Sequence, residues 1–438
     1  MFTSEPSLAQ RIERMIGDTP IVDPHARIRC DQPNAPDLAA LMGDHAVKAE
    51  LVAVGMPPAD LDPALPADER VRRSIPYLKR TRNTATSWCL FRIFRDLYDF
   101  DEPQLTESNY RSLFDRVAKT GQDPDWARAV LQDRSNIRTV VTSLGNRSAD
   151  PSKNPDYFEY MLDAHYLFCP GVATDLEPFF IGRTTKGEYF DALEAVLGER
   201  PTTTERLERL VFDWLDRTVT GRVRFTSTFL PIEHRFTPPD ESQVGLLLRR
   251  ALDRLSDSEV DTLAGSVSWS VLRWHHENRK PFQIAVGAET FIRDGMSLPR
   301  FQETWTSEMA RAFHHFGGAR FDLMVASDVL GQGVAALAGR FPNVHASGDW
   351  GHNYSPTTIE KAIGHRVQVA PMTKIGGFLS DAHYAEWSYG KLQVVRKAMA
   401  AALARLVEGR FFEEDEILPL LRQILHDTPR ELYDLGEK

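Results

Sequence analysis

Ile21-Val22-Asp23-Pro24-His25-Ala26-Arg27 is a short apolar run that closes on a carboxylate, an imidazole and a guanidinium. The β-branched pair reads as a strand, with the polar groups at its C-terminal end. Near the other end of the chain, Gly376-Gly377-Phe378-Leu379-Ser380-Asp381-Ala382-His383 repeats the order: apolar strand, then carboxylate. In a closed barrel of parallel strands the first and last strands are neighbours, and chemistry collects at the C-terminal strand ends. The two stretches are therefore expected to converge, with His25 beside Asp381.

The residues between them have the rhythm such a barrel needs. Candidate strands are Pro20–Pro24, Ile137–Ser143, Gly171–Asp175, Val223–Leu230, Phe282–Val286, Phe321–Ala326, Val344–Ser347 and Ile375–Ser380. Helical periods fall at Tyr189–Leu197, Thr204–Leu215, Ser242–Leu255 and Phe301–Phe316. Eight strands alternating with helices predict an α/β fold, a (β/α)8 TIM-like barrel. The competing open doubly wound sheet usually carries a glycine-rich phosphate loop, and no such fingerprint occurs. Ile28 to Asn136 breaks the rhythm with amphipathic stretches at Asp37–Val54, Ala67–Lys79, Thr86–Tyr98 and Tyr110–Lys119 and no strand. The chain thus divides into 1–27, an N-terminal helix and strand one; 28–135, a helical insertion capping the barrel mouth; and 136–438, the remaining barrel with C-terminal helices. That last part includes an Ala-rich helix over Leu392–Glu408 and a solvated helix start at Glu413–Glu416.

Composition narrows the function. The 438 residues are 42% hydrophobic and 26% charged, as in an ordinary globular protein. The 52 basic and 62 acidic side chains are interspersed, with a net charge of −10 and no basic stripe, which argues against nucleic acid as a partner. No apolar run approaches the roughly 20 residues that span a bilayer. Cys30, Cys89 and Cys169 lie far apart, so neither a disulfide framework nor a zinc knuckle is expected. Met1 to Ile16 lacks the apolar core of a signal peptide. The expected protein is cytoplasmic, takes a small anionic substrate and, by the habit of barrel enzymes, forms a homo-oligomer.

His25 and Asp381 suit either a divalent cation or a proton-transfer pair. The plainer alternatives are a structural histidine and a helix N-cap. Arg27 cannot bind metal, being cationic under ordinary conditions, but can hold a carboxylate or phosphate in bidentate fashion. His45 in the insertion, His352 just past strand seven and His383 are further imidazoles that could reach the mouth. Arg183, with Lys186, lies beyond strand three as an anion binder or a solvated loop charge. Trp350, at a strand end, could line a sugar-sized pocket. Trp269 and Trp274 read as core, and His275-His276 and His314-His315 as helix surface or core edge.

The chain resembles the uronate isomerases of the amidohydrolase superfamily, as a divergent member. The resemblance rests on Asp23-Pro24-His25, Gly43-Asp44-His45 with Lys48, Arg82-Asn83-Thr84-Ala85-Thr86-Ser87-Trp88, Phe341-Pro342-Asn343-Val344 leading to Asp349-Trp350, and Gly377-Phe378-Leu379-Ser380-Asp381, all in order. It implies a barrel with this insertion, a hexuronate substrate, and a divalent metal such as zinc on the strand-one histidines and the strand-eight Asp. Three departures stand against it. Where the family has His-x-His, this chain has His25-Ala26-Arg27. Where it has Gln-x-His-x-Gly-Ala, this chain has Gln283-Ile284-Ala285-Val286-Gly287-Ala288. Where Ser-Arg follows the Asp, this chain has Ala382-His383. His25 and Asp381 remain, an incomplete ligand set for zinc.

Two chemistries follow. In aldose–ketose isomerisation Asp381 is the base, His25 the electrophile with or without metal, Arg27 or Arg183 the anchor, and His45 and His383 proton shuttles. In a metal-independent lyase, dehydratase, epimerase or hydrolase, His25 and Asp381 form an acid–base pair and Arg27 binds the substrate. A non-catalytic binding protein is the third alternative.

Overall fold

The computed structural model describes residues 5–144, 151–163, 174–177, 180–182, 186–230, 232, 234–250, 254–290, 297–299, 301–349 and 355–436. Seven strands form one sheet: β1 (Ile21–Ala26), β2 (Ile137–Ser143), β3 (Phe158–Asp163), β4 (Val223–Leu230), β5 (Pro281–Val286), β6 (Arg320–Val325) and β7 (Val344–Asp349). They lie in chain order, and every neighbouring pair is parallel. Parallel neighbours in sequence order require a crossover between each pair. Their placement matches the expected strands except at the third and eighth positions.

The third strand was expected at Gly171–Asp175 and forms instead at Phe158–Asp163. This strand carries a carboxylate, Glu159, which is buried and paired at 2.9 Å with Arg224 of β4. A charge neutralised across the sheet leaves no signature in local periodicity. Thr174–Glu177 pairs antiparallel with Phe180–Gly182 in a separate ribbon, and residues 171–173 lie outside the described residues.

At the eighth position no strand ladder forms. Segment 375–382 hydrogen-bonds to both flanking strands instead. Gly376 N–H donates to the Ala346 carbonyl (3.0 Å) and Gly348 N–H to the Gly376 carbonyl (3.0 Å) on the β7 side. On the β1 side, Asp381 N–H donates to the His25 carbonyl and Arg27 N–H to the Ala382 carbonyl, both at 2.8 Å. A Cβ at Gly376 would lie 2.3 Å from Ser347 Oγ, so only glycine allows this approach to β7. Asp381 then takes a left-handed backbone (φ 46°), which turns the chain out of the extended path. The sheet's inner face is filled in layers consistent with a barrel. Val22, Val141, Met161 and Phe225, one from each of β1 to β4, cluster around Tyr433 of the C-terminal segment. Ala285 and Met324 pack on Leu379 of segment 375–382.

The stretch 28–136 contains helices and no strand, among them Leu38–Met42, His45–Ala53, Ala67–Leu78, Ala85–Tyr98 and Tyr110–Thr120. The helix expected over Ser242–Leu255 ends at Leu248, and a longer one, Asp257–Asn278, begins at the capping box of Ser256 and Glu259. The Ala-rich helix starts earlier than expected, at Ala385, and runs to Glu408. The acidic start at Glu414 opens a helix, with Glu413 and Glu416 forming its capping box. Among the described residues no helix is long and apolar enough to cross a membrane.

Glu386, fully buried in the first turn of Ala385–Glu408, ties the insertion to the strand ends. Its carboxylate accepts from Tyr98 Oη (2.9 Å), Trp126 Nε1 (3.0 Å) and Ala35 N (3.3 Å). Glu386→Ala takes the acceptor from three donors, two of them buried, and is expected to lower unfolding free energy by about 3 kcal/mol in urea titration. Glu386→Gln, which keeps one acceptor, should lose less. Equal stability of Glu386→Ala and the parent chain would contradict this assignment.

Candidate active site

The end of β1 is shaped by Asp23 and Pro24. Proline has no N–H for the ladder and falls within the register shift between Asp23 and Ala26, the kind of bulge that re-aims neighbouring side chains. Asp23 Oδ1 accepts from Ser380 N (2.9 Å) and His25 N (3.4 Å), stapling β1 to segment 375–382. Burial pushes the Asp23 carboxyl from 3.8 up to about 6, against the pull of those hydrogen bonds.

The sign of the linkage is fixed by that rise. A carboxyl with a higher pKa folded than unfolded favours the fold when protonated. Its contribution is complete below pH 3.8 and is lost as pH rises through about 6. The loss is about 3 kcal/mol at 1.36 kcal/mol per unit. Asp23→Asn keeps an acceptor for Ser380 N–H and should flatten that part of the stability–pH curve, measured by denaturation at a series of pH values. An unchanged slope in Asp23→Asn would place the effect elsewhere.

His25 is buried, at 2% exposure. Its Nδ1 lies 2.7 Å from Gln283 Oε1 on β5, and its Nε2 lies 3.6 Å from Asp381 Oδ1 with no hydrogen-bond partner among the described residues. Arg27, just past β1, reaches two carboxylates: Nη1 to Asp163 Oδ2 (2.8 Å) at the end of β3, and Nε to Asp381 Oδ1 (3.4 Å). Lys391 Nζ donates to the carbonyls of Ser380 (2.9 Å) and Asp381 (3.1 Å). Burial raises the Asp381 carboxyl, but His25 and the guanidinium of Arg27, with Lys391 behind them, outweigh it and hold the group well below the usual carboxylate range. Asp381 is an ionised carboxylate and a weak base.

The insertion supplies the next layer. Asp44 caps the helix His45–Ala53 by accepting from Ala46 N (3.0 Å) and lies 3.9 Å from His45 Nδ1. The His45 ring stands edge-on to His383, centroids 6.1 Å apart. His45 keeps solvent contact at 40% exposure, whereas burial, aided by His45, pushes the His383 imidazole down to about 3. The structure thus brings His25 and Arg27 to the same oxygen of Asp381, with His383 and His45 nearby. Arg183, Trp350 and His352 lie outside the described residues. His275 belongs to the core, with Nε2 3.0 Å from Thr226 Oγ1, and His314 and His315 are exposed.

Asp163, Gln283 and Lys391 were not singled out as site residues in the sequence. Asp163 could have been found, because Phe158-Glu159-Tyr160-Met161-Leu162-Asp163 also ends an apolar run on a carboxylate. Lys391 acts through backbone carbonyls from within a helix, which no spacing rule reveals.

The described residues do not fit a protein-held divalent metal. His25 Nε2 and Asp381 Oδ1 are two donors, and no group of three or more His, Cys, Asp or Glu that could hold an ion occurs among the described residues. Arg27 brings a fixed positive charge to the same Asp381 oxygen.

Strand order, interior packing and the pairing of the two chain ends define an α/β fold that solved sugar-acid isomerases share. The uronate isomerase of Thermotoga maritima superposes with a TM-score of 0.81 at 15% identity, covering 99% of this chain and 100% of that one. The glucuronate isomerase of Caulobacter crescentus gives a TM-score of 0.80 at 17% identity, covering 100% and 96%. By sequence, the uronate isomerase of Phenylobacterium zucineum is 22% identical and covers 98% of this chain and 94% of that protein. That of Thermotoga petrophila is 19% identical over 207 residues, spanning 44% of this chain and 46% of that protein. No family model matches the chain.

Proposed function

We propose that this chain is an isomerase of the uronate isomerase type, a divergent member of the amidohydrolase superfamily, which moves a proton between adjacent carbons of a small anionic sugar acid. The observation that carries the reading is the meeting of His25, Arg27 and Asp381, from opposite ends of the sequence, at the C-terminal ends of the strands. The likeness in sequence and fold to uronate isomerases supports it.

The geometry redistributes the expected roles. Asp381, held ionised by the guanidinium of Arg27 and by its contact with His25, is too weak a base for a carbon acid; its part is to fix Arg27 and face His25. The proton exchanger is His25 Nε2, which takes the proton from carbon 2 of the open-chain aldose and returns it to carbon 1. The hydroxyl proton on O2 passes to O1 in the same conversion, and solvent-exposed His45 suits that transfer better than His383, which burial keeps neutral. Arg27 supplies the cation for the substrate carboxylate or the developing oxyanion. No step here requires a bound metal. The hold of Arg27 on Asp381 favours metal-independent chemistry, so a lyase, dehydratase or epimerase on the same anionic substrates is the second reading.

The test is incubation of metal-analysed protein with D-glucuronate and D-galacturonate in D₂O, followed by proton spectra. Ketose formation with deuterium entering at the exchanged carbon supports isomerisation. Both sugars left unchanged, with no deuterium incorporated, would remove it.

A further inference from the structure

We infer that Gln283 is a positioning residue that fixes the proton of His25 on Nδ1 and so leaves Nε2, which faces Asp381, to exchange a proton, as one end of a buried chain running Asp322–Tyr433–Gln283–His25. The inference rests on the reading of His25 as the proton exchanger.

The amide of Gln283 has one orientation that satisfies its surroundings. Its Nε2 faces acceptors: Tyr433 Oη at 2.7 Å, Asp322 Oδ2 at 3.4 Å and the Pro24 carbonyl at 3.5 Å. Its Oε1 faces the Ser227 hydroxyl at 3.0 Å and His25 Nδ1 at 2.7 Å. Turning the amide over would set its oxygen against a carboxylate and a carbonyl, so the oxygen points to His25. An amide oxygen only accepts, so Nδ1 must donate. Neutral His25 therefore carries its hydrogen on Nδ1, and Nε2, otherwise unpartnered and 3.6 Å from Asp381 Oδ1, is the atom left to exchange a proton.

The far end of the chain fixes Gln283 in turn. The Tyr433 hydroxyl accepts from Gln283 Nε2 and donates to Asp322 Oδ2. Its ring stacks on Phe225 with centroids 4.1 Å apart, which locks the hydroxyl in place. Gln283, Tyr433 and Asp322 are all fully buried. Each link of the chain pairs a donor with an acceptor, which holds the Gln283 amide in one orientation. The C-terminal segment thereby sets the protonation geometry of a residue near the N-terminus.

The experiment labels the histidine rings with ¹⁵N and reads the His25 tautomer from long-range ¹H–¹⁵N spectra, at a pH where the ring is neutral, with His25→Asn assigning the signal. The parent chain should show Nδ1–H. Gln283→Met removes the acceptor and should shift the population toward Nε2–H, with kcat on the sugar acid falling roughly 10–100-fold, as for other residues that orient an active-site histidine, and KM little changed. Gln283→Glu restores an acceptor and should recover the Nδ1–H form. Should Gln283→Met fail to fold, Tyr433→Phe carries the test and should shift the tautomer the same way but less. Ser227→Ala, which removes only the other donor on Oε1, should leave it unchanged. An Nε2–H signal in the parent chain, or an unaltered tautomer in both Gln283→Met and Tyr433→Phe, would overturn the inference. The spectra need no substrate, so absence of uronate turnover would sink the proposed reaction and leave the relay standing, whereas turnover with an indifferent tautomer would do the reverse.

Discussion

Arg27→Met is expected to lower kcat/KM for the sugar acid by roughly 10²–10³-fold, the loss typical of removing one donor that meets developing negative charge. The guanidinium sits between two carboxylates, 2.8 Å from Asp163 and 3.4 Å from Asp381, so it is held in place before any substrate arrives. Its removal has a second effect. Asp163 and Asp381 would then lie in a partly buried site without the cation that links them, and the burial that now raises the Asp381 carboxyl would be opposed by less. The Asp381 pKa should rise, and the stability lost relative to the parent chain should be larger at neutral pH, where Asp381 is ionised, than in acid. Arg27→Lys should recover only part of the activity, because a single ammonium cannot contact both carboxylates in the forked manner of a guanidinium. Steady-state kinetics and urea titrations at two pH values read both effects. If Arg27→Met turns over like the parent chain, Arg27 neither anchors nor polarises the substrate.

His25→Asn should lower kcat by about 10²–10⁴-fold, the usual worth of a positioned acid–base group. The substitution isolates the exchanging atom. An asparagine amide can place its N–H where His25 Nδ1 now stands, keeping the bond to Gln283 Oε1, while nothing replaces Nε2 beside Asp381. Stability should therefore change little while deuterium exchange at the sugar carbon disappears. Exchange that persists in His25→Asn at the parent rate would move the proton-transfer role to another residue. The two variants also separate the roles: loss of Arg27 should raise KM as well as lower kcat, since an anion anchor acts in the bound ground state too, whereas loss of His25 should fall on kcat.

Much of this was legible in the sequence because the signals are local. β1, β2 and β4 to β7 announce themselves as β-branched runs between turns, and the insertion as amphipathic periods with no strand among them. The pairing of His25 with Asp381 followed from one topological rule, that the ends of a barrel meet, applied to two similar motifs. The misplaced third strand shows where such reading fails. Glu159 looks incompatible with a buried strand until Arg224 on the next strand is seen to neutralise it. Asp163 at that strand's end was overlooked with it, although it holds one side of Arg27. The eighth strand failed differently: Gly376 and the left-handed Asp381 let the segment bond to both neighbours without a continuous ladder.

The sequence by itself determined the class of fold, the helical insertion, and the residue types available at the strand ends, since these depend on hydrophobic period and on order along the chain. Only the tertiary structure decided how those residues face one another. Arg27, His25 and Lys391 gather around Asp381 and hold its carboxyl well below the usual carboxylate range, and Gln283, itself held by Tyr433 and Asp322, meets His25 Nδ1 while Nε2 faces Asp381. Proton affinity and tautomer depend on charges and hydrogen-bond partners a few ångströms away in space, and here, Lys391 apart, those partners come from residues more than a hundred positions away in the chain.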